Sequence, residues 1–417
     1  MNRNIFLLWQ GQLISQLGMQ AYTIAMMFWL MENAKSSILM STMMILSILP
    51  SSLLGPLAGV FADIYSKKKI IILTDFLRGL SVFALFILIF WEFNNNLIIL
   101  AFGFVSIILG ISRAFFQPTV DSLIPELVSQ EKLSKTVAAF QSSAQFSNII
   151  GQLLGGILYR LFGAPLLFLF DSISYIFSAI SQAFIKTTDK EKRISKDIKS
   201  TFSEYKENLV IGLKYVKSNK GMFPSMLFAS SVNLFLAPIM LFLPFHVTEQ
   251  IQEKANWYGF LLAAMALGSI LGYWVSASIS LKSLGRTFKM FVGMLSIAIG
   301  IYLLSQSKIS FHSLFSICIV GLGLGLFNLQ SITLFQEGTP DELRGRVMSL
   351  LMAVSSALLP LGLLLSGFLG TLINNDTALI FMFSSVSILV ITILSFLNLN
   401  IREFIGNEIN RKSEICN

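Results

Sequence analysis

Twelve apolar runs, each bounded by charged or turn-forming residues, take up almost all of this 417-residue chain. They fall at about 5–32, 38–62, 70–92, 97–120, 136–160, 165–185, 223–247, 256–280, 288–306, 311–335, 347–372 and 377–400. About 20 apolar residues in a helix cross the hydrocarbon core of a bilayer. In that core, helices keep every backbone polar group satisfied within one segment. The runs therefore predict an all-α membrane protein with twelve transmembrane helices. Only 12% of the residues are charged, against roughly 25% in a soluble domain, which leaves too little polar surface for a water-exposed globule. The run Ile5–Met31 is long enough to span and is not followed by a small-residue cleavage site, so it reads as the first helix rather than a leader. Pro118 and Pro125 are expected to kink or end the fourth helix.

Lysine and arginine set the orientation, because they collect on the cytoplasmic side. With the N-terminus inside, that side holds Arg3, Lys67, Lys68, Lys69, Lys132, Lys135, ten residues between Lys186 and Lys220, Lys282, Arg286, Lys289, Arg344, Arg346, Arg402, Arg411 and Lys412. The other side holds only Lys35, Arg160, Lys254 and Lys308. Both termini are expected in the cytoplasm, with the chain multi-pass in the cell inner membrane. The net charge of +8 is then a topology signal, and nucleic acid is not an expected partner.

The only long polar stretch follows the sixth run. It divides the chain into an N-terminal six-helix bundle (1–185), a cytoplasmic linker (186–222), a C-terminal six-helix bundle (223–401) and a cytoplasmic tail (402–417). In the linker Phe202, Tyr205, Leu209, Leu213 and Val216 recur at helical spacing. That pattern fits an amphipathic helix on the membrane surface or a plain tether. The turn Ser129–Leu133 after run four is echoed by Thr339–Leu343 after run ten, and the loop from Gly59 has a weaker counterpart from Gly272. Near-equal offsets at matching positions argue for duplicated halves. Parallel repeats of this kind place a substrate site at their interface near the bilayer midplane.

Polar residues inside the runs form stripes. Helix one carries Gln12, Gln16, Gln20 and Thr23; helix four Arg113, Gln117 and Asp121; helix five Gln141, Gln145, Asn148 and Gln152; helix six Asp171, Tyr175, Ser178 and Gln182. Spacings of three and four put each set on one helical face. Such a face either bonds to a neighbouring helix or lines a wet cavity. For helices one and four the cavity is the expectation, with Gln12, Gln16, Gln20 and Gln117, joined by Asn233 and Asn328 of the second half, as candidate substrate contacts. Asp171 lies about 9 Å into helix six. It reads either as a proton carrier or as a structural carboxylate bonded to a Ser or Tyr next door. Arg113 is its candidate coupling partner, roughly 15 Å deeper, so that coupling would pass through water or a change of state. Asp121, and Glu32 at an outer helix end, are further proton candidates, with Glu92 a weaker one.

Other chemistry finds little purchase. No G-x-x-x-x-G-K-[ST] phosphate loop occurs. His246 and His312 stand far apart, and Cys318 and Cys416 suggest no disulfide framework. No enzyme, metal site or cofactor is expected. One proton crossing about 100 mV releases roughly 2.3 kcal/mol, enough for ~50-fold accumulation of a neutral solute.

The segment Gly59-Val60-Phe61-Ala62-Asp63-Ile64-Tyr65-Ser66-Lys67-Lys68-Lys69 resembles the signature loop of the major facilitator superfamily, with Ile64 and Ser66 where the family carries Arg and Gly. Trp9-Gln10-Gly11-Gln12, Asp75-Phe76-Leu77-Arg78-Gly79 and Arg344-Gly345-Arg346-Val347-Met348 are similar to the drug-exporter branch that includes macrolide-efflux and enterobactin-exporter-like proteins. Gly151-Gln152-Leu153-Leu154-Gly155-Gly156 resembles the antiporter motif of helix five, with Gln152 in place of proline. The resemblance implies the major facilitator fold, a cytoplasmic gate at Gly59, Asp63, Lys67 and Lys68, and proton coupling at Arg113. It also implies export of a small amphipathic compound, drug- or macrolide-like or a siderophore, by alternating access. The expected partners are that small molecule, protons and the lipid bilayer, with the chain a monomer. Alternatives are a siderophore or lysophospholipid transporter working in another direction, and a non-transporting membrane receptor on the same fold.

Overall fold

Polar caps start several of the helices at the ends of the apolar runs. Ser36 accepts a bond from the Leu39 amide at 3.4 Å, Asn94 from Asn96 at 2.8 Å and Asp376 from Leu379 at 3.1 Å, which satisfies amides that a helix start leaves free. The computed structural model describes residues 2–186, 207, 210–278 and 285–406, with all side chains there except those of Pro56, Val60 and Asp63. The first helices are α1 (Arg3–Asn33), α2 (Ser37–Ile64), α3 (Lys67–Phe90) and α4 (Asn95–Leu127). The continuous stretch Gln130–Ala183 breaks at Gly163, whose φ of 72° suits glycine, with Pro165 just beyond. We call its limbs α5 (130–162) and α6 (164–183). After these come α7 (Met222–Phe245), a π-turn at His246–Gln250, α8 (Asn256–Ser278), α9 (Gly285–Ser305), α10 (Ser310–Glu337), α11 (Asp341–Leu372), α12 (Thr377–Leu397) and α13 (Leu399–Gly406).

Two expectations need adjusting. Helix α4 continues to Leu127 through both prolines, because neighbouring helices can compensate for the lost backbone bond inside a membrane protein. The twelfth run ends at Leu397. Asn398, in an extended conformation, caps α13 through a 3.0 Å bond from the Asn400 amide. Among the described residues, ten stretches, one of them the continuous α5–α6, are long and apolar enough to cross a membrane. The 31-residue α1, with its glutamines, is not among them.

The chain forms two units. One comprises Met1–Tyr205 with Lys254–Gly259, the other Lys206–Glu253 with Phe260–Asn417. In the first, α1 packs along the α5–α6 stretch, α2 along α4, and α3 against both α4 and α5–α6. In the second, α7 packs along α11, and α9 against both α10 and α12. The pairings therefore recur six helices on. So does an ion pair: Lys67 Nζ at the start of α3 meets Glu126 Oε1 of α4 at 2.8 Å, and Arg286 Nη2 of α9 meets Glu337 Oε2 of α10 at 2.6 Å. Each unit closes one end with an apolar cluster, Ile5, Leu8, Ile71, Phe116 and Ile124 in the first and Met222, Met226, Phe335 and Val347 in the second. Of the linker positions at helical spacing, Phe202, Tyr205 and Leu209 lie outside the described residues. Residues 210–218 are helical, and Val216 is buried in the second cluster.

Candidate functional site

Helix α4 crosses α2 where glycine removes the obstacle. A Cβ on Gly110 would lie 2.9 Å from the Ser47 carbonyl oxygen and 3.0 Å from that of Leu46. Beyond this crossing lies a cavity of about 670 Å³, with Ser51 and Gly55 on one wall and Arg113, Gln117, Pro118 and Asp121 on the other. The i, i+4, i+8 stripe thus faces a single space. Gln117 Nε2 donates to Asp121 Oδ1 at 2.9 Å, which orients the amide toward the carboxylate and leaves Arg113 as the cation of the wall. The volume is within the ~300–1,000 Å³ range of small-molecule sites. An apolar surface with one cation, one amide and one carboxylate can hold an amphipathic solute.

The α1 stripe is placed differently. Gln12 is buried, Gln16 Oε1 is buried without a hydrogen-bond partner, and Gln20 Nε2 donates to Asn148 Oδ1 of α5 at 2.8 Å. Trp9 and Gln10 also bond across, to Ser143 of α5 at 2.5 Å and Ser181 of α6 at 3.0 Å. In the second unit Asn233 Nδ2 reaches the Ser355 carbonyl at 3.3 Å, and Asn328 is half-buried on α10. Glu32 is exposed and accepts a 2.9 Å bond from the Tyr159 hydroxyl.

Asp171 is fully buried, and a Cβ on Gly18 of α1 would come within 2.6 Å of its Oδ1. Neither carboxyl oxygen has a hydrogen-bond partner. The guanidinium whose charge bears on it is that of Arg78 on α3, rather than Arg113. Arg78 Nη1 lies 3.3 Å from Asp75 Oδ1, and its guanidinium stacks 4.8 Å from the Phe116 ring centre and 5.5 Å from that of Tyr175. Gln182 Nε2 donates to Asp75 Oδ2 at 2.8 Å. The reading of single stripes missed this group. The signal available was Asp75-x-x-Arg78 inside an apolar run, an acid and a base one turn apart on one face.

At the signature loop, Lys67 joins Glu126 and also donates to the Ser122 carbonyl at 3.0 Å, and Lys68 is half-buried. The side chain of Asp63 lies outside the described set. A Cβ on Gly59 would meet nothing within 4 Å. Gly59→Ala is therefore expected to leave thermal stability unchanged within the ~0.5 kcal/mol of ordinary surface substitutions. A melting temperature several degrees lower in detergent would show that Gly59 is packed.

The family model of the Major Facilitator Superfamily matches residues 8–363. Macrolide efflux protein A of Streptococcus pyogenes is 27% identical over 372 residues, covering 87% of this chain and 88% of that protein. The staphyloferrin A transporter of Staphylococcus aureus is 23% identical over 366 residues, covering 86% of each chain. Among solved structures, a bacterial homologue of the human lysosomal transporter Spinster aligns with a TM-score of 0.72 at 15% identity, over 97% of this chain and 98% of that one. A bacterial homologue of the iron transporter ferroportin aligns with a TM-score of 0.69 at 16% identity, over 94% and 98%. With its helices paired as a repeat and the family model spanning most of its length, the chain belongs to the Major Facilitator Superfamily and is a multi-pass membrane transporter, not an enzyme.

Proposed function

We propose that this transporter is a proton-coupled exporter of a small amphipathic compound, drug- or macrolide-like or a siderophore, working by alternating access. The observation that carries this reading is the α4 wall, where Arg113, Gln117 and Asp121 face one cavity of about 670 Å³. An apolar pocket with a few convergent polar groups suits a solute that is mostly greasy with one charged or hydrogen-bonding end. The names of two relatives, a macrolide efflux protein and a siderophore transporter, support the same substrate class. On this reading the protein works as a monomer in the bacterial inner membrane with both termini in the cytoplasm. The N-terminal bundle spans 1–185, the linker 186–222 and the C-terminal bundle 223–401. Gln117 of the α4 wall binds substrate, Lys67 and Lys68 belong to a gate with Gly59 and Asp63, and a carboxyl, with the buried Asp171 preferred over Asp121 and Glu32, carries the proton.

Reconstitution into proteoliposomes with an imposed pH gradient tests it, using a macrolide and a siderophore as probes. Accumulation against the solute gradient that collapses on adding a protonophore is the expected result. Movement of either probe that ignores the pH gradient would remove proton coupling, and movement of neither would remove the substrate class.

A further inference from the structure

Among the described residues, the interior of the first unit holds two carboxyl groups and one guanidinium. Asp75 and Asp171 are 0% exposed and Arg78 is 7% exposed. Hydrogen-bond polarity separates the two acids. Both oxygens of Asp75 accept, one from Arg78 Nη1 at 3.3 Å and one from Gln182 Nε2 at 2.8 Å, the pattern of an ionised carboxylate that accepts and has nothing to donate. Asp171 receives no such donor. The hydroxyl beside it, on Ser174, gives its hydrogen to Asp171's own backbone carbonyl at 2.7 Å. With that hydrogen directed to the backbone, neither Asp171 carboxyl oxygen has a donor in place to stabilise a negative charge.

Charge balance leads to the same assignment. The titratable groups that act on Asp171 are Tyr22 of α1, Asp75 and Arg78 of α3, and Tyr175 of α6; the charge of Arg113 on α4 reaches Arg78 and Tyr175. One guanidinium among two buried acids leaves one acid without a counter-charge, and a buried unpaired charge is avoided by neutralisation.

We propose that Asp75, Arg78 and Asp171 form a store for a single proton inside the N-terminal bundle, set apart from the cavity on α4. One carboxylate pairs with Arg78, and the other carboxyl, Asp171 in this conformation, holds the proton. Arg78 sits between Phe116 of α4 and Tyr175 of α6, with Asp75 on its own helix and Asp171 across on α6. When Asp171 passes its proton to Asp75, the new Asp171 carboxylate takes Arg78 as partner and the store stays neutral; it carries one net negative charge only after that proton leaves for water and until another reloads it. The use of this store to drive transport rests on the proton-coupled reading above; the charge count does not.

Infrared difference spectroscopy on the purified full-length protein in nanodiscs at neutral pH tests it without any transport step. The wild type is expected to show the carbonyl stretch of a protonated carboxylic acid that exchanges slowly in D₂O, and Asp171→Asn is expected to remove it. The discriminating variant is Asp75→Asn. It frees Arg78 for Asp171, which then ionises, so the same band is expected to vanish although Asp171 is still present. A merely structural, permanently neutral Asp171 would keep the band in Asp75→Asn, and that result would overturn the store. Absence of the slow-exchanging band from the wild type would overturn it as well, with no variant needed. A positive infrared result beside transport that ignores the pH gradient would sink the proton-coupled function and leave the store standing.

Discussion

Asp171→Asn is expected to abolish uphill, proton-driven transport while leaving downhill exchange of the same solute intact. The amide has the shape of the acid it replaces and enters a pocket where the acid is fully buried and makes no hydrogen bond through either oxygen. Asp75 and Arg78 remain paired, so no unpaired charge is created in the bundle and the variant is expected to reach the membrane in normal amount. What is lost is the ability to take up and release a proton. Accumulation of a neutral solute, for which one proton across about 100 mV suffices for ~50-fold, should fall to equilibration. The α4 wall is untouched, so exchange down a gradient continues. Parallel measurement of pH-driven uptake and counterflow in proteoliposomes decides the matter. If Asp171→Asn still accumulates solute against its gradient, Asp171 is structural and Asp121 or Glu32 becomes the carrier to test.

The parts of this arrangement that a single helix defines were legible in the sequence. Residues four apart share a face, so Arg113, Gln117 and Asp121 could be placed together before any packing was known, and they line one cavity. The break near Pro165 was legible for the same local reason, and Gly163 with its φ of 72° makes it. Periodicity does not say which neighbour a face meets. Gln12, Gln16 and Gln20 share one face of α1 and are the cavity candidates there; in the bundle Gln12 is buried and Gln20 is bonded to Asn148 of α5. The Asp75–Arg78–Asp171 group needs α3 and α6 brought side by side by small residues. Ser172 Oγ donates to the Gly79 carbonyl at 2.8 Å there, a contact between residues 93 positions apart. Only the assembled bundle contains that information.

Gly321→Leu is expected to prevent folding of the second unit. Gly268 and Gly272 on α8 meet Gly321 and Gly325 on α10, each pair spaced by four residues along its helix. A Cβ at Gly321 would overlap the Met265 carbonyl oxygen, one at Gly268 that of Cys318, one at Gly272 that of Leu322, and one at Gly325 that of Ser269. All four obstacles are backbone atoms, which cannot swing aside as a flexible side chain can. Helices in lipid gain little from burying apolar surface and associate through close packing, for which small residues at this spacing are the usual means. Ordinary overpacking costs roughly 1–3 kcal/mol; here the two backbones would have to separate, so the whole crossing is at stake. The matching crossing in the first unit, Gly110 of α4 over the Ser47 and Leu46 carbonyls of α2, leaves 2.9 and 3.0 Å for a Cβ, and Gly345 has nothing within 4 Å. A graded series follows. Gly345→Leu should give the wild-type monodisperse peak in fluorescence-detected size exclusion, Gly110→Ala a folded protein with a lowered melting temperature, and Gly321→Leu aggregated or absent protein. A wild-type peak and melting temperature for Gly321→Leu would mean that α8 and α10 do not cross on these glycines.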